Sequence, residues 1–457
     1  MILALDIGTT NFKAGIFLNG KLIKVCYRPL EVIDGYKTDG ESWFTAFKSV
    51  VRELKESLDL SNLRSIILDG NGPTLVSVPG SEALLWLDRR ATKESVFLSK
   101  KLGYFVDSSF LIPKILRQKR LYPELYNKTK LYFGSADYLA WKLTGEAKIV
   151  MALEGLEKWY WNDELLDSLE IDKSKIPPFI KMGEKIGLLS EEIAKELGIS
   201  AVPVLSGPPD FVTSILGSGS VEMGMVCDRS GTSEGINLCS NLKNPNQKLM
   251  CYRHPNGEDW NISGIISTSG KSIEFVKNLL GMEKVPYEKF YEFVSKGQPG
   301  SNGVIFHPYL AGERAPIWDS EATGSFTGLT LNTERKEIAK SVCEGVCYSI
   351  KDVLKTMDYP VKEIRVTGGP AESAFLNQLK ADVLQIPVVT TVCSDPDLMG
   401  LAVLCYTAMG DFENIKKCCK TLVKVKEVFI PDESKNELYE AGYKKFKKIY
   451  QGLKQAR

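Results

Sequence analysis

Asp6 ends a short apolar run and is followed by Ile7-Gly8-Thr9-Thr10-Asn11-Phe12-Lys13. A carboxylate in that position can hold Mg²⁺, directly or through water. Gly8 lets the backbone approach a phosphate, Thr9 and Thr10 offer hydroxyl donors, and Lys13 can neutralise charge. Ser230-Gly231-Thr232-Ser233 repeats this grammar far downstream, and two such turns facing each other would clasp a triphosphate. Ser206-Gly207-Pro208-Pro209-Asp210-Phe211 places another carboxylate behind an apolar stretch and a turn whose prolines fix the backbone. Asp210 reads either as a base or as the N-cap of the next helix, and one residue can serve both roles. In Val366-Thr367-Gly368-Gly369-Pro370-Ala371-Glu372-Ser373, paired glycines would let a flat adenine approach the backbone, and Ser373 can cap a helix. Phosphoryl transfer needs this set of parts: amides and hydroxyls around phosphates, a metal, and a base for the attacking hydroxyl. The pattern is neither a P-loop nor a G-x-G-x-x-G fingerprint. Taken singly, each segment is also explained by a polar hairpin or a tight strand–helix turn.

The elements that must position these residues can be read around them. Residues 2–5 read as a buried strand and 13–18 as a second, with Asn19-Gly20 turning the chain into a third at 21–27. Downstream, 224–227 leads into Asp228-Arg229-Ser230-Gly231-Thr232-Ser233 and a strand at 235–239. This recurrence implies two related domains, each opening with its own phosphate-facing hairpin. A helical period runs over 42–58, with Phe44, Phe47, Val50, Val51 and Leu54 on one face. Another runs over 333–357, with Ile338, Val342, Val346, Ile350 and Leu354 in one stripe and Thr333 placed to cap it. Short strands at 65–68, 202–205 and 363–367 alternate with helices, which predicts an α/β fold with mostly parallel central sheets. The boundary is expected in Gly217-Ser218-Gly219-Ser220, giving domains 1–217 and 218–457. The lysine-rich stretch 444–454 reads as a solvated helix face.

A chain of 457 residues exceeds one ordinary domain. Its 58 Lys and Arg nearly cancel its 57 Asp and Glu, so no global field would draw nucleic acid or an anionic membrane. A small-molecule substrate fits this balance. The ten cysteines are scattered apart from the vicinal pair Cys418-Cys419, which is poorly placed for an ordinary disulfide. With two histidines there is little to build a zinc site. The expectation is free thiols in a reducing cytosol. The chain opens on an apolar run without the basic region of a signal peptide. No stretch reaches the roughly 18 apolar residues that a bilayer span needs. The expected location is cytoplasmic.

In their order and spacing, these segments resemble the FGGY carbohydrate kinases of the actin-like ATPase superfamily, over nearly the whole chain. The xylulokinase-like branch is the most similar. The resemblance includes Trp86-Leu87-Asp88-Arg89-Arg90, similar to the W-x-D-x-R segment that the family places beside the sugar. It includes Asp137-Tyr138-Leu139 followed by Leu143-Thr144-Gly145-Glu146. The strongest stretch is Pro308-Tyr309-Leu310-Ala311-Gly312-Glu313-Arg314-Ala315-Pro316, running into 324–329 and a helix through Glu344-Gly345, where Cys343 departs from the family signature.

This resemblance implies two RNase H-like domains with an inter-domain ATP cleft, ATP and Mg²⁺ as cofactors, and a small sugar phosphorylated on a hydroxyl. Kinases of this kind are often homodimers. It assigns Asp210 as base and as a metal-side carboxylate, with Asp6 as the Mg²⁺-associated carboxylate. Thr9, Thr10 and Lys13 match the first phosphate loop, Gly231 and Thr232 the second. Gly270 and Glu274 fall where the family touches the nucleotide, and Gly368, Gly369 and Ser373 match the adenosine segment. Gly400 would begin the helix that closes this region. Asn71, Trp86, Asp88 and Ser109 fall on the sugar side, together with Asp210.

The departures lie mainly on that sugar side. Asp69-Gly70-Asn71-Gly72-Pro73-Thr74 replaces a Met-His-Gly turn, the bulky Phe211 follows the base, and the segment between Arg90 and Lys114 is shortened. Pro370 replaces a third glycine, and the family's Asp-x-Ser-x-Ala-Ser segment near residue 150 is not recognisable. Acetate kinases, glucokinase-type enzymes and actin- or Hsp70-like machines share the superfamily. The Pro-Tyr-Leu-x-Gly-Glu-Arg stretch favours the FGGY branch. A non-catalytic nucleotide or sugar sensor of the same fold is the alternative from another class; both Asp6 and Asp210 being present argues against it.

Overall fold

The computed structural model describes residues 1–157 and 160–457. The chain forms two compact units. The first comprises Met1–Gly217 and Asp397–Leu422, the second Ser218–Pro396 and Val423–Arg457.

In the first unit, β1 (Ile2–Ile7), β2 (Asn11–Leu18), β3 (Lys21–Pro29), β4 (Ser65–Gly70), β5 (Lys185–Leu188) and β6 (Pro203–Pro209) form a sheet in the order β5-β6-β4-β1-β2-β3. Every residue of β1 and β4 is buried, as strands covered on both faces must be. β1 runs parallel to β4, and β4 parallel to β6; the flanking pairs are antiparallel. The β2–β3 turn is the expected one, with positive φ at both Asn19 and Gly20. The helix Glu41–Ser57 buries Trp43, Phe47, Val50, Val51 and Leu54, while Phe44, expected inside, is only partly covered.

The second unit repeats the plan. β7 (Met225–Ser230), β8 (Glu234–Ser240), β9 (Met250–Arg253), β10 (Trp260–Ile266), β11 (Glu363–Thr367), β12 (Val388–Thr391) and β13 (Val425–Phe429) take the order β9-β10-β8-β7-β11-β12-β13. The helix Arg335–Met357 forms the spine of this core, with Val342, Val346 and Ile350 buried. It begins one step later than expected. Thr333 accepts the Thr330 N–H at 2.9 Å instead of capping, and Glu334 holds the N-cap position.

Two other expectations need correction. Neither sheet is mostly parallel; each is mixed, because every hairpin adds an antiparallel neighbour to a parallel centre. The stretch Asp397–Leu422, placed by the sequence in the downstream domain, packs within the first unit. The helix Pro396–Ala408 meets the helix Asp210–Ser218 so closely that a Cβ on Gly400 would strike the Thr213 carbonyl. Only glycine permits that approach. Gly400 is therefore a helix-packing residue within the helix, and does not begin it.

Candidate active site

β1, β4 and β6 lie side by side and point the same way, so their carboxyl ends open on one edge of the first sheet. That is where α/β sheets present ligand groups. Asp6 and Asp69 are partners in register near the ends of β1 and β4, and Asp210 follows β6 as the first residue of the helix Asp210–Ser218. Asp6 and Asp69 are buried; Asp210 is half-buried. Lys13, opposite Asp6 across the first hairpin, places Nζ 2.9 Å from Asp6 Oδ2 and 3.6 Å from Asp397 Oδ2.

Asp69 Oδ2 accepts the Thr213 hydroxyl at 2.7 Å, and its Oδ1 has no hydrogen-bond partner among the described residues. Burial pushes this carboxyl well above the usual range, and the negative Asp6, Asp397 and Asp210 push it further. Ser214 donates to Asp397 and, at 3.1 Å, to the Asp210 carbonyl. Among the described residues no three His, Cys, Asp or Glu side chains are arranged to hold a metal by themselves.

The sugar-side residues of the sequence reading lie around a small sheet formed by Lys37–Asp39, Leu75–Val78, Glu82–Leu84 and Leu131–Phe133. The Asn71 amide donates to the Ile7 carbonyl at 3.1 Å and to the Gly8 carbonyl at 2.9 Å, while its Oδ1 accepts the Thr74 hydroxyl. The Trp86 indole N–H donates to Thr9 Oγ1 at 3.0 Å. Asp88 is buried and receives Arg90 at both oxygens, at 2.8 and 2.9 Å, while Arg90 stacks 3.7 Å above the Tyr36 ring. Burial works against the Asp88 charge, but the Arg90 bonds hold its carboxyl below the usual range.

Ser109 is buried in the turn before the helix Leu111–Leu121, with its N–H on Asp107. The buried Lys114 Nζ donates to the carbonyls of Pro73, Leu84 and Leu85 at 2.9, 3.1 and 2.8 Å. It thus ties the segment after Asn71 to the segment before Trp86. Burial pushes its ammonium down to about 7.

In the second unit, Gly231 and Thr232 sit exposed at the β7–β8 turn. The Gly231 carbonyl accepts the Gly270 N–H at 2.9 Å, and the Thr232 carbonyl accepts the Ser269 N–H at 3.1 Å. This turn is thereby pinned to the start of the helix Gly270–Leu279. Gly368 has φ +86 and lies so close to the Ser230 carbonyl that no side chain fits, whereas Gly369 faces open space. Ser373 caps the helix Ala374–Leu384 by accepting the Leu376 N–H at 3.3 Å. Glu274 points outward and pairs with Lys271 at 2.9 Å.

Beneath the turn, Lys380 reaches Asp228 at 2.5 Å and also Glu234, which accepts Ser230 at 2.5 Å and Ser269. Burial disfavours charge on every member. Lys380 nonetheless keeps Glu234 ionised, down to about 2, while burial and the Glu234 charge leave the proton on Asp228. Glu313 accepts the Ser267 and Arg314 N–H groups, both at 2.7 Å, and so braces the approach to Gly270.

Sequence reasoning missed Asp69, Lys114 and the Asp228–Glu234–Lys380 set. Asp69 carried a readable signal: 65–69 ends an apolar run on aspartate just as 2–6 does. Lys380 carried none, because its partners lie 152 and 146 residues away.

Residues 1–217 match the N-terminal domain of the FGGY family of carbohydrate kinases, and residues 229–409 match its C-terminal domain. The chain belongs to this family. This FGGY kinase is 27% identical over 485 residues to the xylulose kinase of Staphylococcus epidermidis, covering 100% of this chain and 97% of that one. It is 26% identical over 458 residues to the gluconokinase of Bacillus subtilis, covering 90% and 88% of the two chains. Its fold is that of the ligand-bound xylulose kinase of Lactobacillus acidophilus, with TM-score 0.88, 24% identity and coverage of 99% and 98%. The gluconate kinase of the same organism gives TM-score 0.89 at 24% identity, again covering 99% and 98%. The protein is thus a carbohydrate kinase, and ATP is the co-substrate that follows from the family. No helix among the described residues is long and apolar enough to cross a membrane.

Proposed function

We propose that this kinase transfers the γ-phosphoryl of ATP to a hydroxyl of a small open-chain or ring polyol of the xylulose or gluconate class, with Asp210 as general base. One observation carries the reading: a half-buried carboxylate, Asp210, stands at the carboxyl end of the strand next but one to Asp6 and its partner Lys13. The relatives named above are a xylulose kinase and a gluconokinase, which supports this acceptor class.

The acceptor would lie against the Trp86 ring, near Asp88 and Ser109. The Asp88–Arg90 pair orients that wall and keeps Asp88 from accepting the transferred proton. Asp210 takes the hydroxyl proton as the new P–O bond forms, which contributes about 10²–10⁴-fold in such reactions. Thr9, Thr10 and Lys13 face the transferring phosphate. Within the second unit, Gly231 and Thr232 would form a phosphate turn, Gly270 and Glu274 would lie at the nucleotide, and Gly368, Gly369 and Ser373 at the adenosine.

The donor set around Asp6 and Asp210 is all oxygen and offers one or two carboxylates. That suits Mg²⁺, which completes its shell from water and substrate phosphates and needs no all-protein cage. Asp6 and Asp210 are the residues that would hold it, and when bound it would neutralise charge on the phosphate oxygens.

A coupled ADP-release assay over xylulose, gluconate and related polyols, run beside Asp210→Asn, tests this. The expected result is one efficient acceptor and a loss of at least about 10²-fold in kcat for the variant, with ATP still bound. Near-normal turnover by Asp210→Asn would remove Asp210 from the base role.

A further inference from the structure

The polar side-chain atoms of Asn71 all bond to the protein itself. Both amide protons go to carbonyls of the first phosphate turn, Ile7 at 3.1 Å and Gly8 at 2.9 Å, and the amide oxygen is taken by Thr74. The Asn71 backbone N–H adds a third bond to the Ile7 carbonyl at 2.8 Å, and its own carbonyl is held by the Ser135 hydroxyl at 2.7 Å. The residue is 3% exposed, and every polar atom of its side chain is engaged inside the protein. Trp86 makes a second bridge in the same direction, its N–H reaching Thr9 Oγ1 at 3.0 Å.

We propose that Asn71 and Trp86 are positioning residues of the first phosphate turn: two side chains from the sugar-side segments hold the Ile7-Gly8-Thr9 backbone and hydroxyl in the geometry that receives phosphate. This follows from hydrogen-bond inventory. A primary amide has two protons and one oxygen to offer, and all three are engaged. Within the Gly8-Thr9-Thr10 turn, the Gly8 N–H is already bonded to the Asn11 carbonyl at 2.9 Å, closing the turn from the far side. Asn71 ties it down through the Ile7 and Gly8 carbonyls, which are thereby occupied. The inference rests on the kinase reading above and changes the role of Asn71 within it, from sugar ligand to nucleotide-side support. Trp86 keeps its ring face for the acceptor and gives its N–H to Thr9.

The test measures the nucleotide and the acceptor separately on the full chain. Binding of AMP-PNP with Mg²⁺, without sugar, is measured by calorimetry for wild type, Asn71→Asp, Thr74→Val and Trp86→Phe. Turnover with xylulose and gluconate gives the KM of each substrate. Asn71→Asp sets a carboxylate against two carbonyls and is expected to weaken AMP-PNP about tenfold or more, the scale of leaving buried polar groups unmatched. Trp86→Phe keeps a ring but loses the donor, and Thr74→Val releases the amide oxygen; both are expected to weaken AMP-PNP by roughly threefold. These two milder variants decide the matter if Asn71→Asp does not fold. Unchanged AMP-PNP affinity across the set, with a raised acceptor KM for the Asn71 variant, would overturn the proposal and return Asn71 to the sugar. A wild type that turns over neither acceptor would instead sink the acceptor class proposed above, while the AMP-PNP comparison still decides this one.

Discussion

Lys13 and Asp6 face each other across the first hairpin, residues in register on β1 and β2, with Nζ 2.9 Å from the carboxylate. The pair sets one positive and one negative charge at the base of the first hairpin turn. Replacing Lys13 by Met removes the cation beside Asp6, the one proposed to face the transferring phosphate. The expected outcome is a rise in ATP KM of about 10- to 100-fold, the scale of a charge-assisted contact. Steady-state kinetics at saturating acceptor measures it. An unchanged ATP KM would mean that Lys13 serves Asp6 alone.

Gly368 and Gly369 make a matched pair of substitutions. Gly368→Ala adds a methyl group at positive φ onto the Ser230 carbonyl, so the β7–β8 turn must shift. Thermal stability should fall and ATP affinity with it. At Gly369 a Cβ meets nothing within 4 Å. Gly369→Ala should therefore leave the melting temperature within about 1 °C, since surface changes rarely exceed ±0.5 kcal/mol. It should weaken ATP only if the adenosine lies there. Melting curves with and without ATP separate the two effects.

Lys380 neutralises a buried carboxyl–carboxylate pair under the same turn. Lys380→Met leaves that pair uncompensated, and the expected loss is roughly 3–5 kcal/mol of stability. Adding Glu234→Gln removes the remaining charge and should recover much of the loss. Denaturant unfolding of the single and double variants reads the difference; equal stabilities would show that the carboxylates find another cation.

Glu344 gives a pH-dependent prediction of definite sign. It is buried in the helix Arg335–Met357, accepts Gly300 N–H at 2.9 Å and Ser301 Oγ at 2.7 Å, and burial raises its carboxyl to about 7. Between the unfolded value of about 4.3 and this raised one, the folded state binds more protons. The stability that Glu344 contributes is therefore full at pH 4 and is lost as pH rises through 7. Glu344→Gln should narrow or reverse its deficit relative to wild type between pH 5 and 8, followed by thermal melts. A constant difference across that range would exclude the titration.

Lys114 slopes the other way. Its folded value near 7 lies below the unfolded one, so the unfolded chain binds more protons above pH 7 and the contribution to stability grows with pH. The gap between wild type and Lys114→Met should widen from pH 7 to 9. A gap that stays level would mean that the three carbonyls hold the ammonium charged throughout.

What the sequence disclosed was local. The Asn19-Gly20 hairpin, the Ser373 cap and the strand-ending aspartates depend on residues within a few positions of one another, and their side-chain types dictate the backbone. The mixed sheets were harder to read, because alternation of strands and helices does not register hairpin neighbours. Motif position sets Asn71 on the sugar side, while the hydrogen-bond partners of its amide lie 63 and 64 residues away, out of reach of any local reading. Lys380 and its two carboxylates meet only after the second sheet has formed.

The return of Asp397–Leu422 to the first unit bears on synthesis. Domains are usually finished in order as the chain emerges, the N-terminal one first. Here the Thr213 carbonyl face awaits Gly400, the Gly20 N–H awaits the Tyr406 hydroxyl, and Arg64 awaits Asp411. The first unit cannot be completed until residue 422 has been translated, after Ser218–Pro396 of the second unit. A nascent chain halted at 217 would carry an unfinished surface, so the first unit matures only after most of the second unit's chain has been made.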